Sequence, residues 1–337
     1  MHKLSQSLSE HITGQFSPAE LEVIWDTDFV VSGGTGFAGK WILTVLNEIF
    51  LGSKRELSAV ILTRNCAHAS DTFRDDRLRY LEWMDLEPSI FGQLRKQTQT
   101  VIHAAIPAAS GHVITSEEFH AYSVNLRKLI NAAIVGCKDK PTVINLSSGG
   151  VYSRPLTGPI LETNAGERRE NLTNYEKIKF LDEEMIEDFV KKGLVLGANP
   201  RLFSFTGPGL NIPGTFAISN FVGQAVAGRP VEVLGWIDSE RSFMSPVDMA
   251  IWVIKCSLYP TIETLHVGAS EKITMGELAL KISDKFGAGE ISVKDSFIGE
   301  RHSYYPETKY TRTQLKISSE LSLDESLEVW LADAKRH

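Results

Sequence analysis

Tyr175 and Lys179 stand four positions apart in the stretch Asn174-Tyr175-Glu176-Lys177-Ile178-Lys179. On a helix, residues i and i+4 are surface neighbours, so both side chains would share one face. A phenol titrates at about pH 10 and is a poor acid–base group at neutrality. An ammonium at about 4 Å, with an effective dielectric of about 20, would favour the phenolate by several kcal/mol. Each ~1.36 kcal/mol is one pKa unit, so Tyr175 would become able to exchange a proton with a carbonyl or hydroxyl. A helical tyrosine and lysine without any partnership is the alternative, because this spacing also arises by chance. Ser147-Ser148-Gly149-Gly150-Val151-Tyr152 adds a third group. It follows an apolar run at 142–146, at the edge of a sheet where open α/β folds bind ligands. A Ser148 hydroxyl there can hydrogen-bond the oxygen that gains or loses the proton, although Ser-Ser-Gly-Gly can also be an ordinary turn.

A second constellation points to a dinucleotide. Gly33, Gly36 and Gly39 lie between a short apolar run and a helical pattern, with Thr35, Phe37 and Ala38 interleaved. Glycine allows positive φ in the tight turn and close approach of backbone to a pyrophosphate. The helix start then directs free N–H groups at the phosphates. About 20 residues on, where a carboxylate would bind the ribose of NAD, the chain reads Leu62-Thr63-Arg64-Asn65. Arg64 suits the 2′-phosphate of NADP; the alternative is an exposed surface arginine. NADP is therefore expected over NAD. Asp85 and Leu86 would line the adenine, and His103, Ala104 and Ala105 place small residues where a backbone approaches the cofactor.

The elements that must hold these groups follow from periodicity. Strands are expected at 29–31, 59–62, 78–81, 101–102 and 142–146, and helices from 37 through 49 and over 116–135. The chemical helix should begin at a capping box, Thr173 with Glu176, and stop at Gly193. Alternating strands and helices predict an α/β fold: a doubly wound parallel sheet, or Rossmann fold, with right-handed crossovers. After about residue 195 the rhythm loosens, with short strands at 231–234, 265–267 and 291–293. The expected division is an N-terminal extension at 1–27 with a short helix at 18–25, a dinucleotide-binding domain at 28–195, and a smaller mixed substrate lobe at 196–337, interleaved with the last sheet strands.

The chain has 337 residues, 42% hydrophobic and 23% charged, with a formal charge of −7. That charge argues against nucleic acid or an anionic membrane as partner. No long apolar run and no signal-peptide pattern appear, and Cys66, Cys137 and Cys256 are widely spaced. A cytoplasmic protein with free thiols and no metal is expected. Gly-x-Ser-x-Gly, the phosphate-binding Gly-x4-Gly-Lys and His-Glu-x-x-His are all absent.

Taken together, these residues resemble the extended short-chain dehydrogenase/reductase family, in its nucleotide-sugar epimerase/dehydratase group. The matching pieces run in order: Val31-Ser32-Gly33-Gly34-Thr35-Gly36-Phe37-Ala38-Gly39, His103-Ala104-Ala105, Ser147 to Tyr152, Tyr175-x-x-x-Lys179, Arg201-Leu202-Phe203-Ser204-Phe205-Thr206-Gly207-Pro208-Gly209, Arg241-Ser242-Phe243 with Asp248, and His266-Val267-Gly268. The resemblance implies that Ser148, Tyr175 and Lys179 are catalytic, with Lys179 also on the nicotinamide ribose. It places Asn125 near the cofactor, and Ser148, Ser204, Asn220 and Arg241 on a nucleoside-diphosphate sugar. It also implies a homodimer, pairing helices at 117–135 and 175–192. Departures are visible. The dehydratase acids are missing beside Ser148, and His266 stands where asparagine is usual. Dehydration is therefore not expected. The leading expectation is a reductase of a nucleoside-diphosphate 4-keto-6-deoxy sugar. A 4-epimerase with tightly held NAD, a small-carbonyl reductase and a non-catalytic dinucleotide sensor are the alternatives.

Overall fold

The computed structural model describes residues 4–75, 77–94, 98–106, 114–152, 157–163, 172–212, 214, 216–294 and 303–334. Helices α1 (Gln6–Gly14) and α2 (Pro18–Trp25) lead into strand β1 (Thr27–Ser32). Alternation follows through α3 (Phe37–Leu51), β2 (Ala59–Thr63), α4 (Cys66–Phe73), β3 (Leu78–Glu82), α5 (Pro88–Gly92), β4 (Thr98–His103), α6 (Ser116–Gly136) and β5 (Thr142–Asn145). The two-residue β6 (Ser147–Ser148), a 3-10 turn (Gly149–Tyr152) and β7 (Thr157–Ile160) precede α7 (Asn174–Lys191), β8 (Leu196–Ala198) and β9 (Pro200–Leu202). Then come α8 (Ala217–Val226), β10 (Val231–Leu234), β11 (Glu240–Ser242), α9 (Pro246–Leu258), β12 (Leu265–Val267), β13 (Lys272–Thr274) and α10 (Met275–Phe286). β14 (Ile291–Lys294), β15 (Ser303–Pro306), α11 (Lys309–Gln314) and α12 (Leu323–Ala334) complete the order.

The main sheet is six-stranded, β3-β2-β1-β4-β5-β8, and every pairing in it is parallel. This is the expected α/β doubly wound architecture. The inner strands β1, β2 and β5 bury both faces, which is why their apolar runs are continuous, while the edge strand β3 is partly exposed and mixes Arg79 and Glu82 with Leu78 and Leu81. Phe29 and Val31 point into a core shared with α1, α2, α3 and α9, while Val30 points into the opposite core with α5, α6 and α7. β4 starts three residues before the apolar pair Val101-Ile102 because its first residues are polar yet paired; Gln99 donates its side-chain amide to Phe91 O at 3.3 Å.

The three small sheets are β12-β9-β6, β13-β11-β15-β7 and β10-β14. β7, which precedes residue 195, pairs with β15, so the smaller lobe draws strands from both halves of the chain. A separate core forms there from Ile218, Phe221, Leu278, Leu327 and Trp330. The segment before β1 packs on the main core: Leu8, Ile12, Phe16 and Ile24 are buried in it. Polar ties hold it as well, His11 Nε2 to Asp248 Oδ1 at 2.7 Å and Lys255 Nζ to Glu20 Oε1 at 2.9 Å. No helix among the described residues is long and apolar enough to cross a membrane.

Candidate active site

The glycine turn sits between β1 and α3 at the carboxyl ends of the parallel strands. Gly33 has φ +71°, and a Cβ there would lie 2.5 Å from Ala104 O, so the turn presses directly on the backbone that follows β4. A Cβ at Gly39 would lie 2.3 Å from Gly33 O, which locks the start of α3 against the turn. Gly36 is different: its Cβ would meet only Gly33 O, at 3.3 Å. Gly36 is also the N-cap of α3 and supplies no side-chain cap, whereas Thr115 and Thr173 cap α6 and α7. The first-turn N–H groups at Phe37, Ala38 and Gly39 are thus left for an anion, which fits a dinucleotide pyrophosphate. Trp41, one turn on, donates its indole N–H to Pro208 O at 2.9 Å and ties α3 to the Gly207–Gly209 loop.

Along the sheet edge, Asn65 is occupied, capping α4 through His68 N at 2.9 Å. Arg64 is exposed at the end of β2 and close enough to Tyr122 of α6 to act on its hydroxyl electrostatically. Glu82 is in register with Thr63 on the neighbouring strand, so a carboxylate does stand beside the end of β2. Asp85 is exposed, and it and Glu82 reinforce the effect of burial in pushing the Cys66 thiol up. Leu86 is buried in the core with Phe91 and Leu126, so its side chain is turned inward. His103 is buried, with Nδ1 2.7 Å from Ser32 Oγ. Burial, helped by the positive charge of Lys179, pushes its pKa down to about 3, and the ring is neutral. Ala104 N–H donates to Ser32 O at 3.0 Å, which closes the strand ends next to the glycine turn. Ala105 packs its backbone under Gly33.

Across the cleft, β6 delivers Ser148. Gly150 N–H donates to Ser148 Oγ at 3.1 Å, occupying one lone pair and leaving the hydroxyl hydrogen to be donated elsewhere. The Thr173–Glu176 capping box forms at the start of α7, and Tyr175 in the first turn comes near enough to Ser148 for that residue to favour its phenolate. Tyr175 packs among Ile106, Ile114 and Ile178. Lys179 follows one turn later and is buried. Its ammonium is 5.9 Å from the centre of the Tyr175 ring and donates to Leu146 O. The carbonyl at the end of β5 takes one of the three donors of the ammonium. Burial raises the Tyr175 pKa, the nearby Ser148 opposes that, and the phenol keeps its proton. Burial lowers the pKa of Lys179, opposed by Asp182 and Glu183.

Several supporting residues escaped the sequence reading. Glu183 accepts both Nε and Nη2 of Arg201, at 2.9 and 2.7 Å, and also a bond from Ser147 Oγ. The Arg201 guanidinium lies 4.7 Å from the centre of the Tyr152 ring. The Tyr152 hydroxyl is 2.5 Å from His266 Nε2, and His266 Nδ1 is 2.8 Å from Glu307 O. A carbonyl only accepts, so Nδ1 carries the proton and Nε2 accepts from the tyrosine. Burial pushes His266 down to about 4 and Tyr152 up to about 12. This chain of bonds holds both ends of the serine turn. Tyr304 covers it: a Cβ on Gly149 would lie 2.5 Å from the Tyr304 hydroxyl. Glu183 sits eight residues after Tyr175, on the same helical face, which is a readable signal; nothing near Tyr304 in the chain announces it.

The remaining candidates lie farther out. Asn125 is half-buried on α6. Ser204 follows β9 and uses its carbonyl to accept Met244 N at 3.0 Å. Asn220 accepts Gly214 N at 3.1 Å, shaping the loop before α8. Arg241 is half-buried on β11, in register with Tyr304, and bonds Glu240 O at 2.8 Å. The described residues contain no cluster of three or more metal-binding side chains.

Comparison with known proteins places this geometry. Residues 29–256 match the model of the NAD dependent epimerase/dehydratase family. Over 329 residues the chain is 23% identical to UDP-glucuronic acid decarboxylase 1 of Arabidopsis thaliana, covering 90% of this chain and 69% of that one. Its fold is similar to that of UDP-glucose 4-epimerase from Thermotoga maritima, solved with UDP-glucose, with TM-score 0.76, 18% identity, and 92% and 99% of the two chains covered. It is also similar to Bordetella bronchiseptica WbmF, solved with NAD+ and UDP, with TM-score 0.70, 16% identity and 92% of each chain covered.

Proposed function

The chain belongs to the NAD-dependent epimerase/dehydratase family, and from that premise we propose that it is a nucleotide-sugar oxidoreductase that reduces a nucleoside-diphosphate 4-keto-6-deoxy sugar. The observation that carries the reading is the approach of Tyr175, in the first turn of α7, to Ser148, near enough for Ser148 to favour the phenolate, together with the uncapped glycine turn. Gly33, Thr35, Gly36, Phe37, Ala38 and Gly39 would hold a nicotinamide dinucleotide, which when bound would supply the hydride for a carbonyl carbon. Ser148, with Gly150 N–H already on its oxygen, donates its hydroxyl hydrogen to the carbonyl oxygen. Tyr175 then delivers its proton to that same oxygen as the alkoxide forms. Its burial favours the protonated phenol, the form that reduction requires. Lys179 steadies the phenolate left behind by charge at a distance. Neither acid of a dehydratase stands beside Ser148, since Gly149 and Gly150 occupy those places. Arg241 and Asn220 are proposed to face the diphosphate, with Ser204 toward the sugar.

Arg64 is proposed to take the 2′-phosphate of NADP. One observation favours a second reading, a 4-epimerase with tightly held NAD: Glu82 stands beside the end of β2, where its carboxylate can accept from a ribose hydroxyl. Exposed Val124 on α6 and Leu181 on α7 support a homodimer through these two helices.

Mixing the protein with NADPH and a dTDP- or CDP-4-keto-6-deoxyhexose should bleach absorbance at 340 nm stoichiometrically. Interconversion of two UDP-hexoses without bleaching would establish the epimerase instead. Tyr175→Phe should slow either reaction by about 10²–10⁴-fold.

A further inference from the structure

We infer that Asp182 is the counter-charge of Lys179, a positioning residue that keeps the buried ammonium protonated beneath the site. The inference deepens the role just proposed for Lys179 and rests on it.

Lys179 and Asp182 are three residues apart on the buried face of α7, with side chains 4% and 0% exposed. The bond described for the ammonium goes to Leu146 O, a neutral carbonyl. An ammonium has three donors and a full charge, which one carbonyl does not balance. Both carboxylate oxygens of Asp182 are buried without a hydrogen-bond partner. An unpaired ionised carboxylate in such a place costs several kcal/mol. Two uncompensated groups of opposite sign, one helical turn apart, stabilise each other in the low-dielectric interior.

Glu183 also raises the Lys179 pKa, less than Asp182 does, but its oxygens are already committed to the Arg201 fork and to Ser147. The other neighbouring groups do not take this part. From β4, His103 is neutral through burial and is bonded to Ser32. From β9, Arg201 is paired with Glu183, and from the serine turn Tyr152 keeps its proton. From α6, Arg127 lies over the Phe189 ring at 6.0 Å and the Tyr122 hydroxyl is pushed up by burial. Asn145 of β5 is uncharged. Burial raises the Asp182 pKa and Lys179 lowers it, while Asp182 in turn raises that of Lys179.

The test compares wild type with Asp182→Asn and Asp182→Leu in the full chain. The Lys179 side chain is titrated directly by carbon-13 NMR of its Cε, assigned against Lys179→Met, in protein without substrate. The alkaline limb of kcat is measured in parallel. In both variants the Lys179 titration should move down by about one pH unit, and the rate one unit above the new limb should fall about fivefold below wild type at the same pH. KM for the nucleotide sugar should stay near the wild-type value. Asp182→Asn keeps the shape of the side chain, so the test survives if the leucine variant does not fold. Coincident Lys179 titrations in wild type and Asp182→Asn would overturn the inference; Asp182 would then be a buried burden whose replacement only raises stability. A moved NMR titration with an unmoved kcat limb would uphold the charge pairing and instead remove Lys179 from the proposed mechanism.

Discussion

Gly33 and Ser148 are where single residues decide most. At Gly33, φ is +71° and a Cβ would lie 2.5 Å from Ala104 O, against the backbone of Ala104 and Ala105 rather than a side chain that could yield. Gly33→Ala should therefore lose dinucleotide binding and lower the melting temperature together, measured by cofactor fluorescence titration and calorimetry. Gly36→Ala, where the only near contact is 3.3 Å, should fold normally and lose affinity alone. Arg64 is exposed and its replacement by Ala should leave stability unchanged. If Arg64 binds the 2′-phosphate, the variant loses NADPH preference about tenfold or more at low salt; an unchanged NADPH/NADH ratio excludes that role. The types of these residues were legible in the chain because glycine spacing and a missing carboxylate are local facts. The bond from Lys179 to Leu146 O was not, because helical spacing says which face a side chain shares and not which carbonyl of a neighbouring strand will capture its ammonium.

Helix α7 is the element on which the site is mounted. Its capping box was readable as Thr173-x-x-Glu176, and its stop at Gly193 shows as φ +69°. Thr173→Ala should cost about 1 kcal/mol of stability and, because Tyr175 is in the first turn, should also lower kcat more than KM. Thermal melts and steady-state kinetics read the two effects separately; a loss of stability with kcat untouched would show that the first turn holds without its cap. The same helix carries Glu183 and Asp182 inward, eight and seven residues after Tyr175. Their roles depend on Arg201, Ser147 and the end of β5, which come from other elements. Local pattern therefore outlined the helix and its chemical face, while partners brought by the sheet remained invisible until the strands were in register.

For the molecule as a whole, buried neutral histidines set the response to acid. His266 ordinarily titrates near 6.5 and is pushed down to about 4 by burial. The unfolded chain takes up a proton that the native chain refuses, so stability declines as pH falls from 6.5 towards 4, by about 1.4 kcal/mol per unit for this one group. His266→Asn should flatten the pH dependence of the melting temperature over that window relative to wild type; parallel curves for the two proteins would assign the acid sensitivity to other groups. The doubly wound parallel architecture was foreseeable from alternation; the order of its strands was not. The depth to which 1–27 is built in was not, since its anchors are polar residues far along the chain. Glu20 shows the effect. Burial works to raise its pKa, yet hydrogen bonds from Lys255 and Ser17 hold it at about 2. Its stabilising share is present above about pH 4.5 and lost as pH falls through 2. Glu20→Gln, which strands the ammonium of Lys255, should cost about 3 kcal/mol in chemical denaturation at pH 7.

Those anchors also impose a timetable. The partners of His11 and Glu20 are 237 and 235 residues further on. During synthesis the first two helices can pack on β1 and α3 early, but their polar anchors, and the cover that α9 gives Leu8, Ile12 and Ile24, must wait while most of the chain is still being made. At ~5–20 residues per second that wait lasts on the order of ten seconds or more. Helices α1 and α2 are thus made well before the polar partners that latch them, and the order of synthesis is not the order of completion.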